Sequence, residues 1–298
     1  MQVKNSEEIL ASVIAGRHNV EGTVVFRLSR NSDEVIGFAL SGGGPRGASQ
    51  VGALKALSEA GIRAAMVTGS SVGAINAAWY SLFPNRLDRL EALWMGLSRR
   101  DIFPGTPPRI LLNLARRGYL HSSHSLERFL RRQIGDTTFE QCVIPCVVVA
   151  VRLSDGRLTL FDSGEIVPAV MASSSIPGVF PPYRIDDELY VDGGVLEYLP
   201  LRPLWERGVS EAYALDCSYF QIDADPEGVL DRCARISCQK SVDLETSLAA
   251  TRGRKAHLLR PPLPETSDGR DFSASRELVQ AGYSHATEYL RHAMGHAS

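Results

Sequence analysis

A serine lies between two glycines in the run Gly69-Ser70-Ser71-Val72-Gly73. The apolar residues 64–68 before it are typical of a strand, and residues 72–80 after it have the composition of a helix. A serine on a tight strand-to-helix turn presents its hydroxyl and needs small neighbours, so the pattern predicts a nucleophile at Ser71. The unpaired N–H groups that open the helix favour the negative charge that develops in acyl transfer from an ester. An ordinary glycine–serine turn remains the alternative at this point, because such short patterns also arise by chance.

A second glycine cluster, Gly42-Gly43-Gly44-Pro45-Arg46-Gly47, follows the apolar run 35–40 and precedes a helical pattern that extends to Leu57. A loop of this kind exposes backbone N–H groups that bind an oxyanion or a phosphate. Its glycine spacing also matches a dinucleotide fingerprint, which requires an acidic residue about twenty positions later. Residues 61–69 contain no Asp or Glu, and no Gly-Lys-Ser/Thr sequence marks a P-loop. The oxyanion interpretation is therefore favoured over nucleotide binding.

A serine nucleophile needs a base, and two kinds of residue could supply it. The histidines that follow Ser71 are His121, His124, His257, His285, His292 and His296. None of them lies in a segment typical of a catalytic loop. Asp192 ends an apolar run and precedes Gly193 and Gly194, and an aspartate within hydrogen-bond distance can take the serine proton directly. An ordinary Asp-Gly turn is the competing interpretation of this segment.

Four sequence blocks, in this order, resemble the motifs of the patatin-like phospholipases. They are residues 42–47, residues 69–73, Ala172-Ser173-Ser174-Ser175-Ile176-Pro177 and Asp192-Gly193-Gly194. Each block alone is weakly specific, whereas all four in order, with Arg46 in the first and Pro177 in the third, are highly specific. The resemblance covers roughly residues 35–216 and is greatest to the compact bacterial members.

This resemblance implies a Ser-Asp dyad without a histidine, with Ser71 as the nucleophile and Asp192 as the base. It implies an oxyanion hole in the glycine-rich loop, chiefly at the N–H groups of Gly43 and Gly44. The other implied site residues are Gly42, Arg46 and Gly47 in the oxyanion loop, Gly69, Ser70, Val72 and Gly73 in the nucleophile elbow, and Gly193 and Gly194 in the aspartate loop. Pro45 has no N–H to donate, and we expect Arg46 to hold the loop shape or balance its charge. No metal or cofactor is expected.

One position departs from the family pattern. Many relatives have an asparagine two residues before a proline that follows the Asp-Gly-Gly motif. This chain has Tyr198 at that place, two residues before Pro200. The departure concerns the local support of the aspartate loop rather than the dyad itself.

The order of predicted elements indicates the fold. The predicted strands lie at 35–40, 64–68, 146–151, 157–161 and 211–215, with helices after the first two strands and at 165–173. Alternating strands and helices predict a three-layer α/β/α fold with a mainly parallel central sheet, which the resemblance also implies. Active sites of such sheets lie at the carboxyl ends of the strands, where Ser71, the glycine loop and Asp192 all fall. The chain is divided into an N-terminal extension (1–34), a patatin-like catalytic domain (35–216) and a C-terminal helical segment that completes the domain (217–298).

Composition narrows the class of protein. The 298 residues are 44% hydrophobic, which suffices for a sizeable core, and 32 basic against 34 acidic residues give no case for nucleic-acid binding. No apolar run is long enough to span a membrane, and residues 1–34 lack the apolar centre of a signal peptide. The cysteines are interpreted as reduced, partly buried thiols: Cys142, Cys146, Cys217, Cys233 and Cys238. We expect a cytoplasmic protein and leave open a peripheral position at the inner membrane face.

Residues 101–118 bear on the substrate. A proline-rich stretch, 101–109, precedes residues 110–117, which are apolar and then basic. A helix packed onto the core is the favoured interpretation, because apolar helix faces usually turn inward. A mobile lid or an acyl-chain wall, with its basic pair meeting anionic headgroups, is the alternative.

Together these features predict a lipid acyl hydrolase that cleaves carboxylic ester bonds of phospholipids or lysophospholipids through an acyl-enzyme. The expected partner is a lipid or another acyl ester, and contact with a membrane surface is left open. Two alternatives remain. One is a general carboxylesterase or thioesterase that acts on non-phospholipid acyl substrates, and the other is a non-catalytic lipid-binding regulator.

Overall fold

The computed structural model describes residues 17–20, 23–26, 35–218, 229–263 and 271–295. Near the N-terminus, β1 (Arg17–Val20) and β2 (Thr23–Phe26) pair as an antiparallel hairpin. The expectation that residues 1–34 hold no signal peptide falls largely outside the described residues, and so does His296.

Eight strands of the described chain form one sheet. In chain order they are β3 (Ile36–Leu40), β4 (Met66–Ser70), β5 (Cys146–Arg152), β6 (Leu158–Phe161), β7 (Tyr183–Ile185), β8 (Glu188–Asp192), β9 (Glu211–Leu215) and β10 (Lys255–Leu259). Hydrogen-bonded pairing connects the strands in the series β10-β9-β3-β4-β5-β8-β7, and β6 also pairs with β5. The first five strands in that order are parallel, whereas β6, β7 and β8 pair antiparallel. The prediction of a mainly parallel sheet is confirmed.

Helices cover both faces of this sheet. The helices of the described chain are α1 (Ala48–Glu59), α2 (Val72–Leu82), α3 (Leu87–Gly96), α4 (Arg99–Ile102), α5 (Pro107–Arg117), α6 (His124–Ile134), α7 (Ile166–Ser173), α8 (Arg202–Glu206), α9 (Val229–Thr251) and α10 (Ser275–Gly295). Side chains alternate along β3, so Phe38 belongs to the core cluster of α1 and α2. Its neighbour Ala39 belongs to the cluster on the other face, with Leu204 of α8 and Val242 of α9. This arrangement confirms the three-layer α/β/α prediction.

Most predicted elements are close to their observed bounds. The strands predicted at 35–40, 146–151 and 211–215 are β3, β5 and β9, with ends that differ by one residue at most. The strand before Ser71 begins later than predicted, at Met66, and runs to Ser70. The C-terminal segment was expected to be helical, and this prediction missed β10, which extends the parallel sheet beside β9. That strand has the short sequence Lys255-Ala256-His257-Leu258-Leu259, which carries little periodicity of its own.

The favoured interpretation of residues 110–117 is wrong. These residues belong to α5, but the helix does not turn its apolar residues inward. Leu111 is 68% exposed, and Leu112 and Leu114 are about half exposed. None of the side chains described on α5 is buried. Local amphipathicity therefore predicted the helix, while its orientation depends on whether the fold offers an apolar surface for it.

Candidate active site

Ser71 occupies the turn between β4 and α2, with φ 55° and ψ −124°. A positive φ is costly for a residue with a side chain, and a strained turn of this kind is what the predicted nucleophile elbow requires. Small neighbours make the turn possible: a Cβ on Gly69 would overlap the backbone of Gly73, and a Cβ on Gly73 would overlap the carbonyl oxygen of Leu40. Ser70 is fully buried at the end of β4, and Val72 opens α2.

The Ser71 hydroxyl faces the carboxyl group of Asp192, which ends β8, and both residues are only 6% exposed. Burial raises the pKa of Asp192 to about 6, and the Ser71 hydroxyl and the Gly194 N–H oppose this rise. Asp192 Oδ1 accepts a hydrogen bond of 2.8 Å from that N–H. Within the described chain, Oδ2 is buried and accepts none, so the contact with Ser71 is looser than a formed hydrogen bond. Such loose contacts are common in sites without bound substrate, and an oxygen is left to accept a proton.

The serine run 173–175 joins the two predicted dyad residues. Ser173 Oγ accepts a hydrogen bond of 2.9 Å from the backbone N–H of Ser71. The backbone carbonyl of Ser175 accepts one of 3.0 Å from the N–H of Asp192. The sequence identified this block as a motif without assigning it a role. Its small hydroxyl side chains are the only signal that it supports the elbow, because the partners lie on other elements.

The glycine-rich loop that follows β3 is the predicted source of oxyanion donors. Gly43 and Gly44 have positive φ values of 153° and 58°, which glycine adopts easily. Among the described residues, nothing accepts a hydrogen bond from either N–H. Gly42 was also predicted for the oxyanion hole, but its N–H already donates to the carbonyl of Tyr198 at 3.1 Å. The amide of Gly42 is therefore a support of the loop rather than a donor to a ligand.

A buried amide network fixes both ends of this loop. Gln50 Nε2 donates to the carbonyl of Ser41 at 2.8 Å, where the loop begins. Asn76 Nδ2 donates to the carbonyl of Gly47, where the loop ends, and to Gln50 Oε1, each at 2.9 Å. Asn76 Oδ1 accepts a hydrogen bond of 3.0 Å from Trp94 Nε1. Sequence reasoning missed this network, because glutamine and asparagine in helices give no signal until their partners are known.

Tyr198 lies where the two site loops meet. A Cβ placed on Gly42 or on Gly194 would crowd its ring at 2.8–2.9 Å. Burial raises the pKa of Tyr198 well above its usual value, while the positive charge of Arg46 lowers it. Burial raises the pKa of Cys217 to about 12, and Arg46 opposes this rise as well; Cys217 Sγ donates to the carbonyl of Gly42 at 3.1 Å. Arg46, itself part of the glycine-rich loop, thus acts electrostatically on both side chains, and the tyrosine that departs from the family pattern fills the space between this loop and the Asp192 loop.

An apolar cavity of about 80 Å³ ends at Ser71 and Gly44. Its walls come from α2, α3, α4, α6 and α7 and are lined mainly by aromatic and aliphatic side chains, among them Ile75, Trp79, Leu90, Trp94, Phe103 and Phe180. No charged residue of the described chain lines it. Walls of this character favour an apolar group and disfavour a charged one.

No titratable side chain of the described residues lines this cavity, although the ring of His121 packs behind Phe103 with centroids 5.5 Å apart. Among the described residues no histidine lines it. His121 is buried and its Nδ1 contacts the carbonyl of Pro104, while His257 lies between Glu211 and Tyr289. The five cysteines form no disulfide, and in the described part of the chain no group of three His, Cys, Asp or Glu side chains gathers as a metal site would require.

Comparison with known proteins assigns the family. The model of the family described as patatin-like phospholipase matches residues 38–205, more than half of the chain. The chain belongs to the patatin-like phospholipase family. The matched range contains all four sequence blocks, including the turn at Ser71 and the loop at Asp192.

Relatives of this patatin-like chain are found in bacteria and fungi. An uncharacterized NTE family protein of Mycobacterium tuberculosis is 33% identical over 178 residues, which are 60% of this chain and 48% of that protein. A lysophospholipase nte1 of Aspergillus terreus is 26% identical over 280 residues, 86% of this chain and 18% of that protein. The chain therefore spans about half the length of the mycobacterial relative, and less of the fungal one.

Among solved structures, VipD from Legionella pneumophila is similar with a TM-score of 0.46 and 15% identity, over 94% of this chain and 72% of that one. Human GIVD cytosolic phospholipase A2, in complex with methyl gamma-linolenyl fluorophosphonate, is similar with a TM-score of 0.46 and 12% identity. That match covers 91% of this chain and 61% of the human chain.

Proposed function

We propose that this patatin-like chain hydrolyses carboxylic ester bonds of phospholipids or lysophospholipids. One observation carries the proposal: an apolar cavity without charged walls ends at a serine hydroxyl that faces a buried carboxylate. The apolar walls suit the first methylene groups of an acyl chain, whose ester carbonyl would then lie at Ser71, and a longer chain requires the cavity to widen. The name lysophospholipase, which the fungal relatives carry, supports a lipid ester as the substrate class.

In the proposed reaction, Ser71 Oγ attacks the ester carbonyl while Asp192 takes the hydroxyl proton. The N–H groups of Gly43 and Gly44 stabilise the oxyanion of the tetrahedral intermediate. Collapse of this intermediate breaks the bond to the alcohol, which leaves with the proton from Asp192. Water, deprotonated by Asp192, then attacks the acyl-enzyme and releases the fatty acid. Asp192 protonates Ser71 Oγ again, so the cycle needs no further reactant.

The dyad is tested with Ser71→Ala and Asp192→Asn, assayed on a p-nitrophenyl acyl ester and on a phospholipid. We expect either substitution to lower kcat by about 10⁴-fold or more, because both groups act in one unit. Melting curves of both variants show whether the fold is retained. Full activity in a folded variant would reject the dyad.

The substrate class is tested by the length of the acyl chain. Ile75 lines the cavity one helical turn after Ser71, so Ile75→Trp should block the cavity without touching the dyad. We expect this variant to keep activity on an acetate ester and to lose activity on long-chain esters. A parent enzyme that prefers acetate, or cleaves thioesters better than phospholipids, would favour the general esterase or thioesterase instead.

The non-catalytic regulator is tested by labelling with a fluorophosphonate probe. We expect the parent chain to be labelled and Ser71→Ala not to be labelled. A folded parent chain that takes up no label would support the regulator, since the probe reports an activated serine.

A further inference from the structure

The helix α5 presents apolar side chains that the rest of the described chain does not cover. Leu111, Leu112 and Leu114 are 68%, 48% and 46% exposed. The arginines Arg116 and Arg117 occupy the last turn of the same helix. An amphipathic helix with an uncovered apolar face and basic residues on its polar face is typical of helices that lie in a membrane interface.

A polar cavity of about 610 Å³ opens beside this helix. Its lining includes Arg117 of α5, Tyr119, and His124 and Arg128 of α6. No carboxylate of the described chain lines this cavity. Guanidinium groups without a competing carboxylate recognise phosphate oxygens.

The surface formed by α5 and the polar cavity carries arginines from α5 and α6 that are available for a ligand. Within the described chain, no carboxylate forms an ion pair with Arg116, Arg117, Arg128 or Arg132. Arg131, by contrast, pairs with Glu127 and Asp136. The surface therefore carries a net positive charge, although the whole chain has a formal net charge of −2. This concentration of charge beside exposed leucines is complementary to a surface that is both apolar and anionic.

The polar cavity and the acyl cavity share a wall. Phe103 and Phe180 line the acyl cavity, and the residues that follow them, Pro104 and Pro181, line the polar cavity. The two phenylalanine rings stack with centroids 5.4 Å apart.

We propose that α5 and the adjacent polar cavity dock the chain on an anionic phospholipid bilayer. Leu111, Leu112 and Leu114 enter the acyl region, and Arg117 and Arg128 hold a lipid phosphate in the cavity. Docking requires no turnover, so it can be tested independently of the proposed hydrolysis.

The test measures binding to vesicles in a Ser71→Ala background, which removes any hydrolysis. Vesicles of phosphatidylcholine alone are compared with vesicles that also contain phosphatidylglycerol. We expect binding to the anionic vesicles and loss of this binding at high salt. Replacing Leu111, Leu112 and Leu114 by serine should weaken it by on the order of tenfold or more. Arg117→Gln and Arg128→Gln should each weaken it by about fivefold.

Matched controls replace exposed residues elsewhere. Leu244 and Leu248 of α9 are 59% and 41% exposed and serve as leucine controls. Arg63 precedes β4, at the opposite end of that strand from Ser71, and serves as the arginine control. We expect these variants to bind like the background protein. In the active parent, the α5 and cavity variants should keep hydrolysis of a short soluble ester, which shows that the fold is intact.

Several outcomes would overturn the proposal. One is equal binding of the α5 variants and the controls, and another is no binding to anionic vesicles at all. Inorganic phosphate and glycerol phosphate are tested separately. If they bind at Arg117 and Arg128 while vesicles do not, the cavity is a site for soluble phosphate. Loss of self-association in the leucine variants without any vesicle binding would identify α5 as a protein interface instead.

Discussion

Ser70 and Asp192 lie next to each other along one edge of β5. Ser70 pairs with Val149, and Asp192 pairs with Ala150. β6 pairs with both Val149 and Ala150, so it occupies the opposite edge. Because a strand has only two edges, β4 and β8 share one and meet there at their carboxyl ends. A parallel strand and an antiparallel strand thus deliver Ser71 and Asp192 to one point of the sheet.

Where the carboxyl ends of β4 and β8 meet along β5, there is no space for a side chain at Gly193. A Cβ there would overlap the carbonyl oxygen of Val149. We expect Gly193→Ala to displace Asp192, to lower stability by about 1–3 kcal/mol, and to abolish ester hydrolysis. Gly96→Ala is the matched control, because Gly96 ends α3 and nothing lies within 4 Å of its Cβ position. Equal stability and activity of the two variants would contradict the shared edge.

The buried carboxylate predicts the pH dependence of hydrolysis. The pKa of Asp192 is about 6, and only the ionised form can take the serine proton. We expect kcat/KM to fall about tenfold per pH unit below that pKa and to level off above it. The measurement is a pH profile on a soluble ester. A profile that is flat across this range would show that Asp192 is not the base.

The burial of Asp192 also lowers the stability of the native fold at neutral pH. Its pKa is raised from 3.8 to about 6, so the native state binds the proton more tightly than the unfolded chain does. Stability is therefore lost as the pH rises from about 4 to about 6, by as much as about 3 kcal/mol. We expect Asp192→Asn to unfold at higher denaturant concentration than the parent at neutral pH, and this advantage to vanish near pH 4. An advantage that is independent of pH would have another cause.

The serine run offers a comparison between neighbouring residues. Ser173→Ala removes the acceptor of the Ser71 N–H, and leaving a buried N–H without a partner costs about 1–3 kcal/mol. We expect kcat to fall by roughly tenfold as the elbow loosens. Ser175→Ala removes only a hydroxyl that donates to the carbonyl of Met171, and its own carbonyl still holds Asp192. Similar kcat values for the two variants would show that the Ser71 amide contact is dispensable.

The sequence predicted the parts of this site that depend on local chemistry. The glycines around Ser71 and the strand positions follow from backbone sterics and apolar runs, so the elbow, β3, β5 and β9 were predicted within a residue or two. The orientation of α5 and the addition of β10 depend on which surfaces the completed fold offers, and no local pattern records that. The same limit applies to Gly42, whose amide is used by Tyr198, a residue that the motif did not connect with it.

The amide network around Asn76 is another part of the site that could not be predicted from the sequence. It predicts that a substitution there lowers activity more than an equally destabilising substitution in the core. Asn76→Ala leaves Gln50 Oε1 and Trp94 Nε1 without these partners and removes one hydrogen bond from the Gly47 carbonyl. We expect a loss of stability on the order of 3 kcal/mol and a fall in kcat of about a hundredfold, because the glycine loop loses its fixed position. Leu57→Ala is the control: Leu57 is fully buried on α1, and its truncation costs about 2–5 kcal/mol without touching the loop. Assayed well below both melting temperatures, the leucine variant should retain kcat. If both variants lose activity in proportion to stability, the network contributes to folding alone.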